Sequence, residues 1–122
     1  MATDTIKLDE QGGRDASLAP SDRRMALEFK RRAAAVVPIR QFCVFGSRAR
    51  GDATVESDLD LFLVVDHVDA DLRERISEIA WEVGFENDVV LSTFVVTTDQ
   101  LDRGPAGVSP IVRRIEKEGV RL

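Results

Sequence analysis

The stretch Phe42-Cys43-Val44-Phe45-Gly46-Ser47-Arg48-Ala49-Arg50-Gly51-Asp52-Ala53-Thr54-Val55-Glu56-Ser57-Asp58-Leu59-Asp60-Leu61-Phe62-Leu63-Val64-Val65 decides how this chain folds. Both of its ends are apolar. The segment Ile39 to Phe45 closes on four consecutive apolar residues, and Asp60 is followed by five more. Such runs are the composition of strands covered on both faces, as in a layered α/β arrangement. Gly46-Ser47 breaks the first strand, and residues 46–58 leave room for a short helical turn but not for a full crossover helix. Two strands joined in that way imply at least one antiparallel pair.

Working outward, Met25, Phe29, Ala33 and Val36 recur at helical spacing, with Ser21 or Asp22 as the N-cap and Pro38 ending the run. Beyond the second strand, Asp69 or Asp71 opens a helix whose apolar stripe is Leu72, Ile76, Ile79, Ala80 and Val83, with Gly84 near its end. A third strand is predicted from roughly Asp88 to Val96, then a short helix or turn from Thr98 to Arg103. Gly104-Pro105 and Gly107 form a loop, and Ser109-Pro110 is a good N-cap and first-turn pair for a last helix carrying Ile111, Val112 and Ile115, stopped by Gly119. Residues 1–20 lack periodicity and contain Gly12-Gly13, so they read as a flexible tail ahead of a domain spanning 21–122. The expected fold is α/β (α+β): a small mixed sheet flanked by helices.

Composition narrows the function. A chain of 122 residues with 43% hydrophobic and 32% charged residues can bury one core, which excludes wholesale disorder. No apolar run approaches the ~20 residues that span a bilayer. The N-terminus has no apolar stretch of a signal peptide, which points to the cytoplasm. Cys43, the single cysteine, lies in an apolar run and reads as a reduced core thiol. With His67 the single histidine, a Cys/His zinc site is excluded, and His67 reads as a surface loop residue. The net charge of −5 divides as −2 over residues 1–20, +2 over 21–65 and −5 over 66–122. An acidic chain with a mildly basic middle suits a small phosphate-bearing ligand better than a nucleic-acid duplex. The Rossmann and P-loop glycine fingerprints are absent.

Three features of the central stretch carry chemistry. Gly46-Ser47 follows an apolar strand directly, where glycine permits a sharp turn and the Ser47 hydroxyl and nearby N–H groups suit a phosphate; an ordinary corner with a capping serine would look the same. Asp58 and Asp60 stand one residue apart at a strand start, so the period of two places both carboxylates on one face. Two such acids repel unless a cation lies between them, and hard oxygen ligands of this kind suit Mg²⁺. The alternative is a loop acid beside a sheet-edge acid, although Asp60 precedes an apolar run that must lie near the core. Arg48 and Arg50 lie between these elements, either as triphosphate clamps or as partners of Asp52 or Glu56.

Gly-Ser, ten residues, then Asp-x-Asp, framed by two apolar strands, resembles the nucleotidyltransferase signature of the DNA-polymerase-β-like superfamily. In its wording, FGSRARGD…SDLDLFLVV is similar to the minimal nucleotidyltransferase branch. The resemblance implies a polymerase-β-like palm that transfers a nucleoside monophosphate, AMP from ATP above all, to a hydroxyl acceptor. It implies that Gly46 and Ser47 hold the nucleotide, which Arg48 and Arg50 join on the first of their two readings, and that Asp58 and Asp60 bind Mg²⁺. A third carboxylate on a neighbouring strand completes the family's catalytic and metal-binding set, and Asp88 is the candidate; Asp99 and Asp102 come too late, in a turn. Relatives in this branch commonly work with a separate all-helical protein of the HEPN family as toxin–antitoxin pairs, so a HEPN-like partner is expected, with homo-oligomerisation a further possibility. If Asp88 does not serve, the chain reads as a weak or inactive antitoxin acting by contact. Templated synthesis on DNA is not expected, and no membrane partner is.

One residue outside the central stretch stands apart. Trp81 falls opposite the apolar stripe of its helix, with Phe85 near it, and reads as a partner surface unless the helix end folds back onto the body.

Overall fold

A computed structural model describes residues 18–104 and 109–122. Nine elements follow in chain order: α1 (Pro20–Ala34), β1 (Ile39–Phe45), α2 (Ser47–Arg50), β2 (Leu59–Val65), α3 (Ala70–Asn87), β3 (Leu91–Thr97), α4 (Thr98–Arg103), α5 (Pro110–Glu118) and β4 (Val120–Arg121). The strands form one mixed sheet in the order β3-β2-β1-β4. The β1–β2 pair is antiparallel, as their short connection requires, and the β2–β3 pair is parallel, joined across α3. This is the mixed α/β architecture expected from the apolar runs.

Side-chain alternation divides the core into two layers. Phe42 and Val44 of β1 join Leu59, Leu61, Leu63 and Val65 of β2 beneath Met25 and Phe29 of α1 and Ile76, Ile79 and Val83 of α3. Cys43 and Phe45, with Phe62 and Val64, face the other way, under Leu101 of α4 and Val112 and Ile115 of α5. Strands buried on both faces read as continuous apolar runs for this reason. Phe62 and Phe94 touch on the α4/α5 side with centroids 5.6 Å apart.

Several boundaries differ from expectation. Helix α1 starts at Pro20 rather than at a Ser21 or Asp22 cap: proline at the first helical position is already set for helical φ, and Asp22 lies inside the first turn, buried. Leu18 is also buried in the core, so the packed body includes it; residues 1–17 of the expected 1–20 tail lie outside the described residues, as do 105–108 of the expected loop. Asp69 caps α3, accepting from the Leu72 N–H at 2.8 Å. The helix then runs past Gly84 to Asn87, because Gly84 packs its backbone against the Val89 carbonyl, where a Cβ would collide. Asp88 is the left-handed cap (φ 59°, ψ 39°), and β3 begins only at Leu91. The capping box of Thr97 and Gln100 starts α4, and Ser109 caps α5 as read from sequence. The two-residue β4 was not anticipated; it pairs Arg121 with Cys43 and Val120 with Val44.

Candidate active site

Strand β1 delivers the chain to Gly46 at the level of Asp60, since Phe45 is the register partner of Asp60. Gly46 has φ 80° and ψ −161°, a conformation essentially reserved for glycine. It is also pressed on the acid: a Cβ at this position would collide with Asp60 Oδ2 and come within 3.2 Å of Asp60 Cγ. No other residue type fits the corner. The single turn α2 follows, closed by the Arg50 N–H donating to Gly46 O at 3.0 Å and by Gly51 in the left-handed region. Ser47 opens this turn directly after Gly46, the residue pressed on Asp60.

The two acids arrive together from β2. Asp60 lies on the α4/α5 face of the sheet, in line with Phe62 and Val64, and is half-buried. Asp58 precedes the strand and is exposed. Burial, and then the charge of Asp58, push the Asp60 carboxyl above its ordinary 3.8, while Arg50 pulls against both. A pair of neighbouring carboxylates is therefore built into the strand start, with the Arg50 charge within reach. This donor set, hard oxygens on a strand and loop open to solvent, fits a divalent cation such as Mg²⁺.

The arginines divide. Arg48 turns inward: its Nε donates to Ser57 O at 2.9 Å, Nη2 to Val55 O at 3.3 Å, and Nη1 to Asp22 Oδ1 at 2.8 Å. The Arg48–Asp22 pair is nearly closed to solvent, with side chains 11% and 6% exposed. Arg48 thus fastens the segment before Asp58 to α1. Neither Asp52 nor Glu56 is its partner. Arg50 stays at the surface, paired to Asp52 at 3.2 Å and to Glu118 of α5 at 3.1 Å, and its charge reaches Asp60.

Asp88 is exposed and does not head a strand. It borders a groove with Arg48, Ser57 and Val90, and among the described residues no three His, Cys, Asp or Glu side chains gather as a metal site. The residue that faces Asp60 across the β2–β3 pair is Ser92, which is exposed. Paired residues of neighbouring strands share a face, so Ser92 stands beside Asp60 on the α4/α5 side. Neither Ser92 nor the Arg48–Asp22 pair was singled out from sequence: the first depends on where α3 stops, the second on a contact between residues 26 apart. Cys43 is buried with its thiol pushed up to about 12 by burial, His67 is exposed, and Trp81 and Phe85 are exposed as expected. Among the described residues no helix is long and apolar enough to cross a membrane.

A search of curated proteins found no match for the chain. A family model described as the nucleotidyltransferase domain matches residues 23–122, from the first turn of α1 through β4, and so includes Gly46, Ser47, Asp58, Asp60 and Arg50. With the match spanning most of the chain and the acid pair set against its glycine corner, the chain belongs to the nucleotidyltransferase domain family, the enzymes that transfer a nucleoside monophosphate.

Proposed function

We propose that this nucleotidyltransferase takes ATP and transfers AMP to a hydroxyl group, with Mg²⁺ held by Asp58 and Asp60. The observation that carries the reading is the corner itself: a glycine-only backbone pressed on a half-buried carboxylate, with a second carboxylate alongside. Ser47, with its hydroxyl and its own amide at the start of α2, binds the triphosphate. Arg50 is the nearby cation, and its salt bridges to Asp52 and Glu118 are exposed and exchangeable for phosphate oxygens. Bound there, Mg²⁺ would neutralise phosphate charge and lower the pKa of the attacking hydroxyl. The hydroxyl oxygen gives up its proton to solvent and bonds to the α-phosphorus, the bond from that phosphorus to the bridging oxygen breaks, and pyrophosphate departs. Asp60, held against Gly46, keeps a fixed carboxylate at the reacting end.

The acceptor in this reading belongs to a HEPN-like helical protein in a toxin–antitoxin pair, in the cytoplasm, where ATP is present and Cys43 stays reduced. A second reading, an antitoxin that neutralises such a partner by contact alone, is favoured by one observation: Asp88 caps α3 and Ser92 occupies the position facing Asp60. The test is Asp60→Asn, which keeps the side-chain shape and removes the charge. Transfer, followed as label from ATP incorporated into the partner in Mg²⁺, is lost in the variant under the first reading. Under the second, the wild type shows no transfer, and the variant still binds and neutralises its partner.

A further inference from the structure

On the outer face of α3, Trp81 and Phe85 stack with ring centroids 5.1 Å apart and planes 12° from parallel. Their i, i+4 spacing brings them together. They are nonetheless 65% and 73% exposed, and Val90, just before β3, is 64% exposed. A groove of about 380 Å³ runs between these side chains, floored by Ala80, Gly84 and Leu91. A patch of three large apolar groups around a groove marks a surface that something covers.

The rim says what. At 100° per residue, Glu74 and Glu78 share the face of Trp81 and Phe85, Asp71 and Glu82 lie beyond Phe85 on the same side, and Asp88 closes the C-terminal end of the groove; on the other side Arg73 is drawn toward the sheet, donating to Val95 O at 3.4 Å. Arg75 answers Glu78 at 3.2 Å and Glu82 at 4.0 Å. Asp71, Glu74 and Asp88 have no ion pair among the described residues. A second copy meeting this patch about a two-fold axis would set acid against acid, which disfavours self-association. We infer that this face of α3 is a docking site for another protein, which lays into the groove an amphipathic helix whose apolar residues are flanked by lysine or arginine. Helix-in-groove recognition supplies the apolar anchors, Trp81 and Phe85 are residue types that dominate such interfaces, and the acidic rim selects a basic ligand.

The placement separates docking from chemistry. Helix α3 covers the sheet face opposite Asp60, so a docked helix leaves the Asp58–Asp60 corner open. The groove borders Asp88 and Val90, which also line the neighbouring groove that reaches Ser57, next to Asp58. A protein docked on α3 is thereby held beside the acid pair without blocking it.

Trp81 is the single tryptophan of the chain, so its emission reports the patch directly. The full chain is titrated with a synthetic amphipathic helix of leucine and lysine, and separately with its leucine–glutamate counterpart. The expected result is a blue shift and protection from acrylamide quenching with the lysine helix alone. Phe85→Ala and Glu74→Lys, both at exposed positions, each weaken that binding, Phe85→Ala by about tenfold or more. Equal responses to both helices, no response to either, or lysine-helix binding unchanged in Phe85→Ala would overturn the inference. A blue shift that grows with protein concentration alone, with dimer in sedimentation, would also overturn it in favour of a second copy.

Discussion

Replacing Gly46 with alanine tests the corner at the centre of the site. The φ of 80° with ψ of −161° places residue 46 where an L side chain is strained, at a cost of about 1–3 kcal/mol. The new Cβ also lands on the Asp60 carboxylate. Overpacking of this kind costs about 1–3 kcal/mol. Because Asp60 is half-buried and can swing partly away, the total is expected at about 2–4 kcal/mol, toward the lower part of the combined range. The assay is urea denaturation of wild type, Gly46→Ala, Asp60→Ala and the double variant. Only the collision depends on Asp60, so the cost of Gly46→Ala falls by about 1–3 kcal/mol in the Asp60→Ala background while the backbone strain remains. A cost of Gly46→Ala that is the same with and without Asp60, or one within experimental error of zero, would refute the close approach.

Three other outcomes follow from the same structure. Arg48→Ala leaves Asp22 buried without its cation and frees the carbonyls of Val55 and Ser57, so denaturation should show a loss of about 3–5 kcal/mol. Asp60→Asn changes the pH profile of stability. The folded carboxyl of Asp60 is raised above 3.8, so it holds its proton longer in the native than in the unfolded chain. Stability contributed by Asp60 therefore falls as pH rises from 3.8 through the raised value and stays lower above it. The asparagine variant should melt higher than wild type at neutral pH, with the advantage vanishing below 3.8, as followed by thermal denaturation across pH. Ser92→Asp puts a third carboxylate beside Asp60. It should lower the melting temperature without metal and enlarge the rise on adding Mg²⁺ relative to wild type; an unchanged Mg²⁺ response would remove Ser92 from the site.

The parts of the molecule legible in sequence are those fixed by local rules. The apolar runs of β1 and β2 announced strands buried on both faces, and Asp58 and Asp60 stood out against them. Asp69, Ser109 and the break at Gly46 were readable because capping and tight turning demand particular side chains. The rest depends on contacts across the chain. Gly84 looked like the end of α3, yet the approach of the Val89 carbonyl makes it a packing glycine within the helix. That shift of one helical turn carried Asp88 out of β3 and brought Ser92 opposite Asp60. Asp22 read as a cap because polar residues near a helix start usually are; its ion pair with Arg48 is a tertiary fact. With only two residues, β4 has no period to detect and exists through pairing with β1.

The most direct test of the account is calorimetric titration of ATP into the protein, with and without Mg²⁺, for wild type and for Asp58→Asn/Asp60→Asn. The account predicts binding by the wild type that requires Mg²⁺ and is lost in the double variant, with both proteins folded by circular dichroism. Binding that ignores Mg²⁺ and survives in the variant, or no binding by the wild type in either condition, would contradict it.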